Sequence, residues 1–138
     1  MDPRIESLAK LLVNYSLELK PRQLLKISGE PVAEPLIKAI YKEALRAGAY
    51  PYVDLNLTDL REIFYKNAND DQMRYLSPLR MYEVEKIDAL LSIWGTTNTK
   101  NMSNIDPGRQ KLYSQTVRPY QDRYFARTAD RSLHWCGT

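Results

Sequence analysis

Acids, bases, nucleophiles and metal ligands are sparse in this sequence. His134 is its one histidine and Cys136 its one cysteine, two residues apart. His134 could act as a base or a ligand, but no H-x-x-x-H or H-E-x-x-H companion accompanies it. Cys136 has no second cysteine, and nothing before it marks an activated nucleophile. One His and one Cys cannot build a His/Cys-rich zinc site. Both read more simply as residues of a short strand. Glu30 and Glu34 stand four apart, Asp59 and Glu62 three apart. Such pairs could share a proton or hold a metal, but near helix starts they complement the helix dipole. No G-x-G-x-x-G follows the first apolar run, which ends Ser28-Gly29-Glu30-Pro31, and no G-x-x-x-x-G-K-S/T loop occurs. No catalytic, cofactor-binding or metal-ligating residue is assigned from these patterns.

Four short apolar runs must position whatever chemistry the chain has. Asp2-Pro3 reads as a helix cap followed by the first helical residue. Ile5, Leu8, Leu12 and Tyr15 follow at helical spacing, and Lys20-Pro21 is expected to end that helix. Residues 24–29 read as a strand in a covered sheet. Pro35 falls in the first turn of a second helix. Its buried stripe is expected to be Leu36, Ile37, Ile40, Tyr41, Ala44 and Leu45, with Gly48 as its cap. Residues 52–57 alternate, placing Asp54 and Asn56 on the second face, as in an edge or partly covered strand. Thr58 is expected to cap a short helix carrying Leu60, Ile63 and Phe64. Helical turns are expected over 72–86, interrupted near Ser77-Pro78, then a strand over 88–95. Asp106-Pro107 opens a long helix to about Ala129, kinked near Arg118 by Pro119. Residues 132–138 give a fourth strand. This order predicts a three-layer α/β/α, Rossmann-like domain with a mainly parallel sheet of about four strands. A single domain is expected over residues 1–138, and its abrupt end on a strand suggests a cut at a domain boundary.

Parallel α/β sheets bind ligands at the carboxyl ends of their strands. Here those ends are Ser28-Gly29-Glu30, Leu57-Thr58-Asp59, Trp94-Gly95-Thr96-Thr97-Asn98 and Cys136-Gly137-Thr138. Ser28, Gly29, Glu30, Trp94, Gly95, Thr96, Thr97 and Asn98 are the candidates to face a cleft. Ordinary turn and cap chemistry also accounts for polar loops of this kind.

Composition narrows the class. At 43% hydrophobic and a net charge of +3, the 138 residues can bury a core of their own. No apolar run approaches the ~18–20 residues of a membrane span, and no signal-peptide pattern opens the chain. The expectation is a cytoplasmic, reducing setting with no membrane contact. Charge is uneven: residues 1–99 hold 13 Lys+Arg against 14 Asp+Glu, and residues 100–138 hold seven against three. Five of those seven are Arg, from Arg109 to Arg131. That excess is small beside the basic surfaces of nucleic-acid binders, so no nucleic-acid partner is expected. The arginines read as a solvated face, or one that meets an acidic partner. Tyr113, Tyr120 and Tyr124 share one face of the long helix, a packing or partner surface rather than a base-stacking one.

Several segments also resemble a known family. Met1-Asp2-Pro3-Arg4-Ile5-Glu6-Ser7-Leu8 opens the similarity, which runs on through Leu12-Val13-Asn14-Tyr15-Ser16. It continues in Ile27-Ser28-Gly29-Glu30-Pro31-Val32-Ala33-Glu34-Pro35-Leu36 and Ala47-Gly48-Ala49-Tyr50-Pro51. Asn104-Ile105-Asp106-Pro107 and His134-Trp135-Cys136-Gly137-Thr138 complete an ordered set over essentially the whole chain. The set resembles the aminopeptidase T family of metallo-aminopeptidases, whose members often have glycine where this chain has Arg22. The resemblance implies an exopeptidase that removes amino-terminal residues from peptides. It also implies two divalent metal ions, zinc, cobalt or similar, bridged by carboxylates and completed by His, Asp and Tyr; such a pair activates water. In the family those ligands belong to a carboxyl-terminal domain, and none maps onto this chain. The chain is then expected to be the amino-terminal domain, inactive alone, walling the substrate chamber, packing on its own carboxyl-terminal domain and supporting a homodimer. The alternative is a free-standing α/β module that binds a small ligand or a partner without catalysis.

Overall fold

Four parallel strands form the middle of the molecule: β1 (Leu24–Gly29), β2 (Tyr50–Leu55), β3 (Ala89–Ser92) and β4 (His134–Gly137), in the order β2-β1-β3-β4. The computed structural model describes residues 2–94 and 105–138. The helices are α1 (Pro3–Lys10), α2 (Glu34–Arg46), α3 (Leu60–Asn67), α4 (Asp70–Met73), α5 (Pro78–Lys86), α6 (Pro107–Thr116) and α7 (Arg118–Ala129). Successive residues of a strand point to opposite faces. Leu25 and Ile27 of β1 therefore meet Leu12, Val13, Ile37 and Ile40 beneath α1 and α2. Leu24, on the opposite face, joins Ile87, Leu90, Leu133, Tyr52 and Tyr124 beneath α5 and α7. Helices cover both faces, which makes the predicted three layers. A third cluster of Tyr65, Ala68, Met73 and Ile105 ties α3 and α4 to α6.

Several boundaries follow their sequence signals. Asp2 caps α1, accepting from the Arg4 N–H at 2.8 Å. Gly48 follows α2 at φ +81°, a left-handed turn that suits glycine. The long helix is two, α6 and α7, broken at Val117, because Pro119 lacks the N–H that would continue the ladder.

Other expectations need correction. Leu11–Ser16 is a π-helical turn with Leu17 N–H donating to the Leu12 carbonyl at 2.9 Å. That wider turn swings Val13 and Leu17 inward and leaves Tyr15 exposed, so the predicted stripe fails at its last member. Regular helix ends at Ser16 rather than at Lys20-Pro21. On α2 the buried face includes Ala39 and Glu43, while Tyr41 and Leu45 are exposed. Strand β2 begins at Tyr50, two residues earlier than expected, with its Pro51 on a sheet edge where a missing N–H is tolerated. Asp59, not Thr58, precedes α3. β3 stops at Ser92, and Asp88 serves instead as a bracket: its carboxylate accepts from the Leu24 N–H at 2.8 Å, and its carbonyl from the His134 N–H at 3.0 Å. Gly95 of the expected strand lies outside the described residues.

Candidate functional site

Chain order leaves β1 toward β2 on one side and toward β3 on the other. The carboxyl ends of β1 and β3 therefore flank the point where a doubly wound sheet opens a crevice. Ser28, Gly29 and Glu30 stand at the end of β1, and Trp94 stands two residues beyond β3. Ile93 N–H donates to the Ser28 carbonyl at 2.7 Å, which holds the two ends together. Gly29 is needed for packing: a Cβ there would lie 3.2 Å from Ile37 Cδ1 and 3.3 Å from Ile93 Cβ. Glu30 is half-buried and leads into the short 3-10 turn Pro31–Ala33. Trp94 is 68% exposed, and its ring covers Gly137, where a Cβ would lie only 2.6 Å from Cζ2. Gly95, Thr96, Thr97 and Asn98 lie outside the described residues.

Ser28 opens onto a polar pocket of about 410 Å³, built over β1 and β2 by α5 and α7. Lys26, Asp54, Asn56, Arg80, Glu83 and Tyr120 are among its walls. The register pairs Lys26 with Tyr52 and Ser28 with Asp54, so all four side chains rise from the same face. Lys26 is only 13% exposed, and its ammonium lies 2.7 Å from Glu83 Oε1 and 3.4 Å from Asp54 Oδ2. Tyr52 donates to the other Glu83 oxygen at 2.8 Å. Asn56 donates to Ser28 Oγ at 3.0 Å. Burial pulls the Lys26 pKa down, but the hydrogen bond and charge of Glu83, helped by Tyr120 and Asp54, hold it above the ordinary lysine value. Burial, then Glu83, raises the Tyr52 hydroxyl far above the ordinary tyrosine range.

Sequence reasoning missed Lys26 and Glu83. The available signal was one lysine inside the apolar run of β1, which demands a buried anion from elsewhere. Asp54 and Asn56 were visible as the second face of β2. A larger cleft of about 720 Å³ lies between α3, α4, α5 and α6, lined by Phe64, Tyr75 and Tyr113 among others. Arg80 borders both spaces, stacked over Tyr120 at 4.5 Å and donating to the Tyr113 hydroxyl at 3.1 Å.

The arginines are not a simple solvated face. Arg127 is 7% exposed and donates to the carbonyls of Val84, Ile87 and Ser132 at 2.7–2.8 Å. Arg109 holds the Tyr65 carbonyl at 2.8 Å and also the Ala68 carbonyl. Arg123 pairs with Glu85. Tyr113 stacks edge-on against Phe64 and Tyr65 and Tyr124 packs below α7, while Tyr120 lines the polar pocket. The paired carboxylates are occupied separately: Glu34 by Lys38 at 2.8 Å and Glu62 by Lys66 at 2.6 Å. Cys136 is half-buried against the α1–α2 core.

Asp54 and Glu83 are the carboxylates at the pocket, and both face the Lys26 ammonium. Among the described residues no group of three or more His, Cys, Asp or Glu could hold an ion. That donor set does not fit a metallopeptidase centre. No helix among the described residues is long and apolar enough to cross a membrane.

Fold and site together define a doubly wound parallel α/β domain with a charged pocket beside its strand ends. The profile of the thermophilic metalloproteases (M29) matches residues 1–138, and the chain belongs to that family. The solved structure of wild-type AmpT from Thermus thermophilus is similar, at 18% identity and a TM-score of 0.78. The match covers 97% of this chain and 35% of that one, so this chain spans about a third of AmpT. At that identity the likeness shows the fold.

Proposed function

We propose that this chain is the amino-terminal domain of a metal-dependent aminopeptidase that removes amino-terminal residues from peptides. The observation carrying this is the family match over residues 1–138 on a fold that covers only 35% of AmpT. The hydrolytic centre, with its two divalent ions, belongs in this reading to a carboxyl-terminal domain outside residues 1–138. In this reading Ser28, Gly29, Glu30 and Trp94 face the cleft between the two domains. The domain walls the substrate chamber, supports a cytoplasmic homodimer and is inactive alone.

The test is to follow the source reading frame past Thr138 and assay both products on an aminoacyl chromogenic amide. The longer protein is expected to cleave it with zinc or cobalt and to stop with a chelator. The 138-residue chain is expected to show neither turnover nor stoichiometric metal uptake. One tightly held ion per 138-residue chain, or a stop codon directly after Thr138, would overturn the reading. The free-standing binding module would then take its place, supported by the polar pocket.

A further inference from the structure

We propose that the polar pocket over β1 and β2 binds the zwitterion of a free α-amino acid. The inference goes beyond the peptidase reading and does not rest on it, because every wall of the pocket belongs to residues 1–138. A free amino acid is nevertheless what an exopeptidase releases.

The pocket floor is already neutral. Lys26 is paired with Glu83 at 2.7 Å, and Tyr52 completes Glu83. The rim is not complete. Asp54 is 51% exposed at its side chain and turns only Oδ2 toward Lys26. Among the described residues its Oδ1 has no partner. Arg80 spends one Nη on Tyr113 and rests its guanidinium carbon over the Tyr120 ring, 4.5 Å from the centroid, so two contacts hold the group in place. Its Nε and Nη2 have no partner among the described residues. A planar guanidinium held in place presents two parallel N–H donors, the complement of a carboxylate. Asp54 offers the complement of an ammonium, with Asn56 Oδ1 and the Ser28 hydroxyl beside it.

Charge and size select the ligand class. Two cations, Lys26 and Arg80, and two anions, Asp54 and Glu83, line the space. A phosphate would meet both carboxylates and an isolated amine both cations, whereas a ligand carrying one charge of each sign meets neither penalty. A volume of about 410 Å³ is at the small end of ligand pockets, which run from ~300 to ~1,000 Å³. It suits one amino acid, with Leu79 as an apolar wall for its side chain.

The experiment is a titration of the ¹⁵N-labelled 138-residue chain with L-leucine, L-leucinamide and N-acetyl-L-leucine, followed by amide chemical shifts. L-leucine is expected to give saturable shifts centred on Lys26, Ser28, Asp54 and Asn56. Each blocked ligand, lacking one charge, is expected to bind at least about tenfold more weakly, the loss of one charge-assisted contact. Arg80→Gln should abolish the preference for leucine over leucinamide, and Asp54→Asn the preference over the acetylated form. Equal binding of all three ligands, or no saturable shift with L-leucine, overturns the proposal. The ligand series on the unsubstituted chain decides this even where a variant fails to fold. None of these readouts involves peptide cleavage, so their failure is distinct from failure of the peptidase reading.

Discussion

The two faces of one strand are built on different physics. On the α1–α2 side, Leu25 and Ile27 of β1 are fully buried in an apolar cluster with Val13 and Ile40. On the α5–α7 side the same strand presents Lys26 and Ser28, and the interior there is a charged network. The first face is held by area removed from water and by close packing, which need only apolar residues of suitable size. The second is held by partners arriving from β2 and α5, and its lysine is tolerable only because they arrive. The dry face supplies stability, and the charged face supplies a place where a ligand finds opposed charges near strand ends.

The largest effect should come from the dry face. Ile27→Ala removes methyl groups from a fully buried site, and is expected to cost about 3–4 kcal/mol. Ser28→Ala, one residue along, deletes only a hydroxyl that accepts from Asn56, and is expected to cost under about 1 kcal/mol. Urea denaturation of both variants checks the pair. Similar midpoints would erase the contrast between the faces.

A middle-sized effect sharpens it. Lys26→Met leaves Glu83 and Asp54 without their cation and is expected to cost about 2 kcal/mol. Glu83→Leu strands the ammonium and the Tyr52 hydroxyl, with a similar cost. The double variant restores an apolar contact, so its cost should fall short of the summed single costs by about 1 kcal/mol or more. Strict additivity in a denaturation double-mutant cycle would reduce the network to independent surface pairs.

The difference between the faces also explains what the sequence disclosed. β1 and the α6–α7 break were legible because apolar runs, glycine and proline act locally. The edge position of β2 was legible from Asp54 and Asn56. The stripe on α1 was misread at Tyr15 because one π-turn resets the period, and no residue type announces that turn. The Ser28 end of β1 was legible as a strand end. The pocket it joins was not, since Lys26 and Glu83 are 57 residues apart and meet only after the sheet and α5 are in place. Arg127 was hidden likewise: its acceptors are main-chain carbonyls, which carry no sequence signature.

The smallest expected effect is the fall of stability at alkaline pH, to which the charged face contributes through Lys26 and Tyr52. Lys26 and Tyr52 both have folded-state pKa values above their ordinary ones, Lys26 because Glu83 outweighs burial, Tyr52 through burial and then Glu83. In the unfolded chain these groups titrate near ~10.4 and ~10. Below about pH 10 both states hold both protons, so the stabilisation is fully present. Above that, the unfolded chain releases protons that the folded chain keeps, and stability falls as pH climbs toward the folded values. The urea midpoint should thus be flat from about pH 7 to 9 and drop beyond about pH 10. Tyr52→Phe removes one of the groups and should shallow that drop without abolishing it, because burial and Tyr120 also push Tyr124 up to about 12. Ile27→Val, on the dry face, should lower the midpoint at every pH and leave the slope alone. An alkaline slope unchanged in Tyr52→Phe would mean that neither burial nor Glu83 raises the phenol's pKa, and the charged face would lose its distinction from the dry one.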